Sequence, residues 1–136
     1  MAGRIKISEG SIGYVEYWFA QRLGLRMAAL QNKTGSYITP TANSGEQALS
    51  GRVAEVRELD ASVADPAAPG AYPITTYSWM FLYPRYADRA KGKAMRDLAQ
   101  WTLSQQAQNY GAQLGYLPLS ADVTALGTQA LAGLSH

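Results

Sequence analysis

Four groups of residues in this 136-residue sequence have types and spacings that chemistry could use. Asn32-Lys33-Thr34 fits the acceptor pattern for N-linked glycosylation. The overlapping Lys33-Thr34-Gly35 is a string that penicillin-recognising enzymes use beside a Ser-x-x-Lys nucleophile. Gly10-Ser11-Ile12-Gly13 could let backbone N–H groups approach a phosphate, as glycine-rich loops do. Arg89, Lys93 and Arg96 stand at i, i+4 and i+7, a basic stripe on one helical face that would suit a polyanion. Trp18, Trp79 and Trp101, with nine tyrosines, offer ring faces for stacking.

Each of these also has a plainer reading, and the plainer one fits the surrounding residues better. The sequence holds no Ser-x-x-Lys, and Asn32 to Ser36 has the composition of an exposed turn. The glycine pair lacks both the Lys-Ser/Thr of a P-loop and the third glycine of a dinucleotide fingerprint, which leaves a tight turn. Asp88 and Asp97 flank the basic stripe, as on a solvated helix face. The tryptophans fall inside strand and helix patterns that assign them mainly to a core.

Residue types that are missing exclude more. With no cysteine there is no disulfide, thiolate nucleophile or cysteine-based metal site. The single histidine, His136, is the last residue, which argues against a Ser–His–Asp triad, a histidine base or a histidine-anchored metal. No paired-carboxylate motif is present, so the expectation is a non-enzyme with no catalytic residue, no metal and no cofactor. Twelve basic against ten acidic residues, a net charge of +2, create no field that would recruit nucleic acid. Met1 to Glu9 carries no apolar signal-peptide core, and the longest apolar run, Trp79 to Tyr83, is far below the roughly 20 residues of a membrane span. On these residues alone the chain is expected to be soluble and to stay in the cytoplasm.

The elements follow from periodicity. Ile5 and Ile7 alternate with polar residues as in a short strand, and Gly10 to Val15 reads as a turn into a second. Glu16 to Leu23 has helical spacing stopped by Gly24, and Arg26 to Leu30 reads as a return strand. Asn32 to Ser36 is a turn, and Tyr37 to Thr39 is an extended piece ended by Pro40. Thr41 or Ser44 caps a helix through Leu49, with Ser44 and Gln47 at capping-box spacing and Gly51 ending it. Asp60 to Tyr72, rich in Pro, Ala and Gly, is a loop. Ile74 to Tyr83, almost wholly β-branched or aromatic, reads as a central strand covered on both faces. Ala87 to Ser104 is a helix with Ala90, Ala94, Leu98 and Trp101 on one apolar face. Gln105 to Leu114 continues helical up to Gly115. Ser120 caps a last helix whose apolar residues are Val123, Leu126, Ala130, Leu131 and Leu134. The class is therefore α/β, a binding or assembly domain.

Longer strings carry a more specific signal. Gly10-Ser11-Ile12-Gly13-Tyr14-Val15-Glu16-Tyr17 resembles a signature of the substrate-binding protein of bacterial phosphate ABC transporters. The resemblance continues through Leu30 to Gly35, Pro40-Thr41-Ala42, Tyr72 to Trp79, Leu98-Ala99-Gln100-Trp101 and Leu114 to Leu119. It implies a periplasmic-binding-protein type II-like fold, two α/β lobes closing on an anion, of which this chain matches only the C-terminal part. Residues 1–77 would then form a partial lobe of strand, helix, strand and helix. Residues 78–136 would return to the other lobe, with the hinge crossing inside Ile74–Tyr83.

The resemblance further implies phosphate binding for uptake, a membrane permease as partner and an extracytoplasmic location. The family's phosphate ligands lie upstream of the matching region, so no ligand-binding residue carries over to a position here. Phosphate binding would then require completion by an N-terminal half or by a second copy exchanging elements. The alternative is a non-binding scaffold or interaction domain derived from the same fold.

Overall fold

The computed structural model describes residues 1–50 and 64–133. The expected helix end at Gly51, the loop residues Asp60 to Val63, the apolar Leu134 and the terminal His136 lie outside the described residues. The elements are α1 (Ala2–Ile7), α2 (Tyr17–Arg22), β1 (Leu30–Gln31), β2 (Tyr37–Ile38), α3 (Ala42–Leu49), α4 (Arg89–Thr102), α5 (Gln105–Gln113) and α6 (Ala121–Ala132). Helices and a two-stranded sheet are thus both present, and β1 pairs antiparallel with β2 through Leu30↔Ile38 and Gln31↔Tyr37.

Helix ends are set by local chemistry. The α3 box is Thr41 with Ser44, not Ser44 with Gln47: Ser44 N donates to Thr41 Oγ1 at 3.0 Å and Thr41 N donates to Ser44 Oγ at 2.8 Å. Pro40 disfavours helical backbone at Thr39, which places the cap immediately after the proline. Asp88 caps α4 by accepting from Ala90 N and Lys91 N, Ser104 caps α5, and Ser120 caps α6. Two helices end on glycine in the left-handed region. After α2, Leu25 N donates to Ala20 O and Gly24 has φ +62°. After α5, Tyr116 N donates to Gly111 O, Gly115 N to Ala112 O, and Gly115 has φ +88°. These paired bonds satisfy carbonyls that a helix end otherwise leaves open.

Several expected strands are absent. Ala2 to Ile7 is helical, because a one-turn helix satisfies its own backbone whereas a strand there would need a neighbour. Gly10 to Val15 and Arg26 to Ala29 are not strands, and the return strand is reduced to Leu30 and Gln31. Ile74 to Tyr83 is not a covered central strand either. It pairs with no strand among the described residues, and Ile74, Phe81 and Tyr83 are 73%, 87% and 72% exposed.

The long helix is also turned the other way from the expected one. Ala90, Ala94, Leu98 and Trp101 are exposed, while Gly92, Met95, Ala99 and Leu103 lie on the covered side. The packing explains this orientation. Gly92 sits against the Tyr86 ring, and Leu103 reaches Gly127 of α6 so closely that a side chain there would stand 3.0 Å from a leucine methyl.

The fully buried hydrophobic side chains among the described residues are all small: Ala20, Ala48, Ala71, Ala99 and Val123. Around them, Gly45 of α3 receives Leu117, and Gly115 receives Trp18 of α2, whose ring stacks on Phe19 and lies 5.8 Å from Tyr116. Among the described residues such small buried groups supply little hydrophobic burial.

Gly115 should be the most sensitive helix end. Gly115→Ala meets both a left-handed backbone and the Trp18 Cβ at 2.8 Å, whereas Gly24→Ala meets only the backbone requirement, with nothing within 4 Å. Urea unfolding should show a loss of about 1 kcal/mol for Gly24→Ala and a clearly larger one for Gly115→Ala. Equal losses would mean that the Trp18 contact contributes nothing.

Candidate functional site

The densest polar arrangement is built around Asn32, at the mouth of the β1–β2 hairpin. Asn32 is 5% exposed, and its side chain uses both ends. Nδ2 donates to Pro69 O at 2.9 Å and Ala71 O at 3.3 Å. Oδ1 accepts from Thr34 Oγ1 at 2.8 Å and from Thr34 N and Ser36 N at 3.1 Å. Its backbone N–H donates to Ser36 O and its carbonyl accepts from Gly35 N, closing a turn in which Gly35 takes φ +85°. Beside it Lys33 N donates to Asp65 Oδ1 at 2.6 Å, and Asp65, itself at φ +48°, donates its N–H to Pro73 O.

This arrangement ties distant segments together. Residues 69–73 are held from one side by Asn32 and from the other by α3, where Tyr72 N donates to Ser44 O. The Tyr72 hydroxyl donates to Ala28 O at 3.3 Å, and burial pushes its phenol above the ordinary value of 10.0. Three of the strings that carry the sequence resemblance, Leu30–Gly35, Pro40–Ala42 and Tyr72–Trp79, therefore meet in one place, with their polar groups largely spent on one another.

The other candidates resolve in the same direction. Lys33-Thr34-Gly35 is part of the hairpin turn and has no nucleophile beside it. Asn32 cannot act as a glycan acceptor in the folded chain, because its Nδ2 is buried and donates twice within the protein. Gly10-Ser11-Ile12-Gly13 is a turn in which Ser11 donates to Ser8 O at 2.7 Å, and Gly13 lies under Ile5, which fills the space a phosphate would need. On α4, Lys93 pairs with Asp97 at 2.6 Å on an exposed surface, so part of the basic stripe is neutralised. Trp101 is half exposed, Trp18 packs on Phe19 and Tyr116, and Trp79 packs edge-on against Tyr77 with its indole N–H buried and unpartnered among the described residues.

Sequence reasoning had no signal for one concavity. A groove of about 710 Å³ opens between the start of α5 and α6, lined by Leu103, Gln108, Pro118, Leu119, Thr124 and Thr128 among others. None of its lining residues is charged. Gln108 is already committed, donating to Thr102 O at 2.7 Å and accepting from Leu119 N at 2.8 Å. The groove thus offers an anion no cationic side chain, and a dianion needs fixed donors or positive charge to compensate for its lost hydration. Among the described residues no group of three acidic or histidine side chains could hold a metal, and no helix is long and apolar enough to cross a membrane.

Curated proteins to which this chain is similar are named for phosphate binding. The chain is similar to the phosphate-binding protein PstS of Xylella fastidiosa (strain Temecula1), 29% identical over 120 residues, which is 88% of this chain and 33% of that protein. It is similar to the PstS of Methanocaldococcus jannaschii, 25% identical over 93% of this chain and 36% of the relative. It is similar also to the PstS of Pasteurella multocida, 30% identical over 83% of this chain and 33% of the relative. The chain therefore spans about a third of the length of the curated relatives it matches. No protein-family model matches it.

Two outcomes test the Asn32 arrangement. Asn32→Ala leaves two backbone carbonyls and the donors of Thr34 and Ser36 without their partner. Chemical denaturation should show a loss of at least about 2 kcal/mol, against a few tenths for exposed Lys33→Ala. Tyr72 provides a pH signature. Its native phenol holds the proton more tightly than the unfolded one, so its contribution is fully present below pH 10.0 and is lost as pH rises through the native value. Tyr72→Phe should therefore flatten the decline of unfolding stability above that pH, and an unchanged decline would remove Tyr72 from the account.

Proposed function

We propose that this chain is the scaffold-bearing portion of a phosphate-binding receptor for ABC-type uptake, a non-enzymatic solute-binding protein of periplasmic-binding-protein type II-like fold. The observation that carries the reading is similarity running through 88% of the chain to proteins named for phosphate binding. The mixed helix and hairpin architecture is compatible with part of an α/β lobe.

On this reading the residues here position the cleft without supplying its phosphate ligands. Those ligands come from outside residues 1–136, which accords with an Asn32 arrangement spent on internal bonds and a groove without charge. The Ile74–Tyr83 segment is the crossing between a first lobe portion, residues 1–77, and a second, residues 78–136. Closure of two lobes on the anion is the mechanism, a hinge motion that commits the ligand for hand-over to a membrane permease. The place of action is extracytoplasmic. The uncharged groove also favours a second reading, a scaffold that keeps the fold without holding an anion.

Calorimetric titration with phosphate, with sulfate as competitor, separates the readings. The chain by itself should give no saturable heat. The chain mixed with the two thirds of the Xylella relative that it does not match should give saturable, phosphate-selective heat. Selective binding by the chain alone would show that ligands within residues 1–136 form a site. Silence in both samples, with the mixture shown to associate, would select the scaffold.

A further inference from the structure

The outward side of α4 carries a row of side chains that is complementary to its own reverse. Ala90 and Ala94 are exposed at its start, and Leu98 and Trp101, 46% and 49% exposed, follow at its end. At 3.6 residues per turn these four fall within one sector of about 80°, which Lys93 and Asp97 border on one side and Lys91 on the other. Helix α6 packs on the opposite side of α4, where Ala99 is buried and Leu103 meets Gly127.

We propose that this row pairs antiparallel with the same row of a second copy, about a two-fold axis level with residues 95–96, to form a homodimer. An axis at that level sets Ala90 opposite the partner's Trp101 and Ala94 opposite the partner's Leu98, a small side chain against a large one at each step. Matching of this kind lets two helices approach to the about 8–10 Å at which side chains interdigitate. The same axis sets Lys93 beside the partner's Asp97, and Asp97 beside the partner's Lys93. Within one copy these two pair at 2.6 Å, but their side chains are 77% and 56% exposed, where such a bond is weak and free to be shared. Lys91 falls level with the partner's Thr102, so like charges do not meet.

Self-matching in both size and charge is what an isologous interface requires, and it selects a second copy over other occupants. A lipid surface gains little burial from two alanine methyls, and an acidic surface would meet Asp97 at the border of the row. At 1.5 Å per residue the row is about 16 Å long, which makes the interface small and the dimer concentration-dependent. The proposal does not depend on phosphate binding.

Light scattering on the full chain, from about 10 μM to about 1 mM, should show the mass rising from one chain toward two, the range that suits an interface of this size. Ala94→Glu brings two carboxylates together near the axis and should raise the dissociation constant at least about tenfold. Its far-UV circular dichroism should stay unchanged, because position 94 is exposed and glutamate is a good helix former. A charge exchange separates contacts between copies from those within one. Asp97→Lys and Lys93→Asp each place like charges across the interface and should each weaken association. An equimolar mixture of the two variants restores both pairs between unlike copies and should form a heterodimer, although neither copy regains its internal bond. Cysteine, which the sequence lacks, reads the register. Ala94→Cys, about 5 Å from its counterpart along the axes, should link on oxidation, whereas Gln100→Cys, about 13 Å from its counterpart and outside the row, should not. A single-chain mass at every concentration would overturn the proposal. So would a dimer indifferent to Ala94→Glu, no gain on mixing the charge variants, equal linking of both cysteine variants, or association only with the unmatched portion of a phosphate-binding relative.

Discussion

The Asn32 carboxamide is the interaction on which the first half of the chain depends. One planar group holds the hairpin turn closed through its oxygen and clamps residues 69–71 through its nitrogen. Both functions need the side chain inside, and a buried amide is tolerable only when donors and acceptors are matched, which they are here. Because residues 69–73 are also held by Ser44 at the start of α3, the Thr41–Ser44 cap and the hairpin become one unit. Polar bonds organise this region more than apolar burial does, since among the described residues its fully buried apolar side chains are alanines and the prolines Pro66 and Pro73.

The second half is organised by helix ends and close backbone approach. Asp88, Ser104 and Ser120 start three helices, and Gly115 turns the chain so that Leu117 and Trp18 can reach across. Glycines at 45, 115 and 127 receive side chains from other elements, so the helices and the hairpin unit touch at points where there is no side chain to interpose. Such contacts fix geometry with little buried area. The outward faces remain uncovered, including the apolar row Ala90, Ala94, Leu98 and Trp101 of α4.

That imbalance links structure to function. A receptor that holds an inorganic anion needs fixed donors and positive charge around a closed cleft, and the groove here has neither charge nor closure. The residues that resemble a phosphate-binding family are engaged in holding one another, as Asn32, Thr41 and Tyr72 show. Within the described residues these groups act as scaffold, each bond fixing one segment against another.

The punctuation of the chain was determined by its sequence alone. Gly24 and Gly115 end helices, Asp88, Ser104 and Ser120 have the types that cap them, and Asn32 to Ser36 turns, because these outcomes depend on the φ preferences and short side-chain bonds of a few neighbouring residues. Short motifs also sufficed to place the chain beside phosphate-binding sequences. Strand status was decided only by tertiary structure, because a strand exists through a partner that can lie far away in sequence: Ile5 and Ile7 became helix, and the β-rich run from Ile74 pairs with no strand among the described residues. The burial of Asn32 was likewise invisible, since Pro69 and Ala71 lie nearly forty residues away. So was the covered face of α4, which Tyr86 and Gly127 select over the more hydrophobic row, because packing partners choose a face and periodicity only offers one.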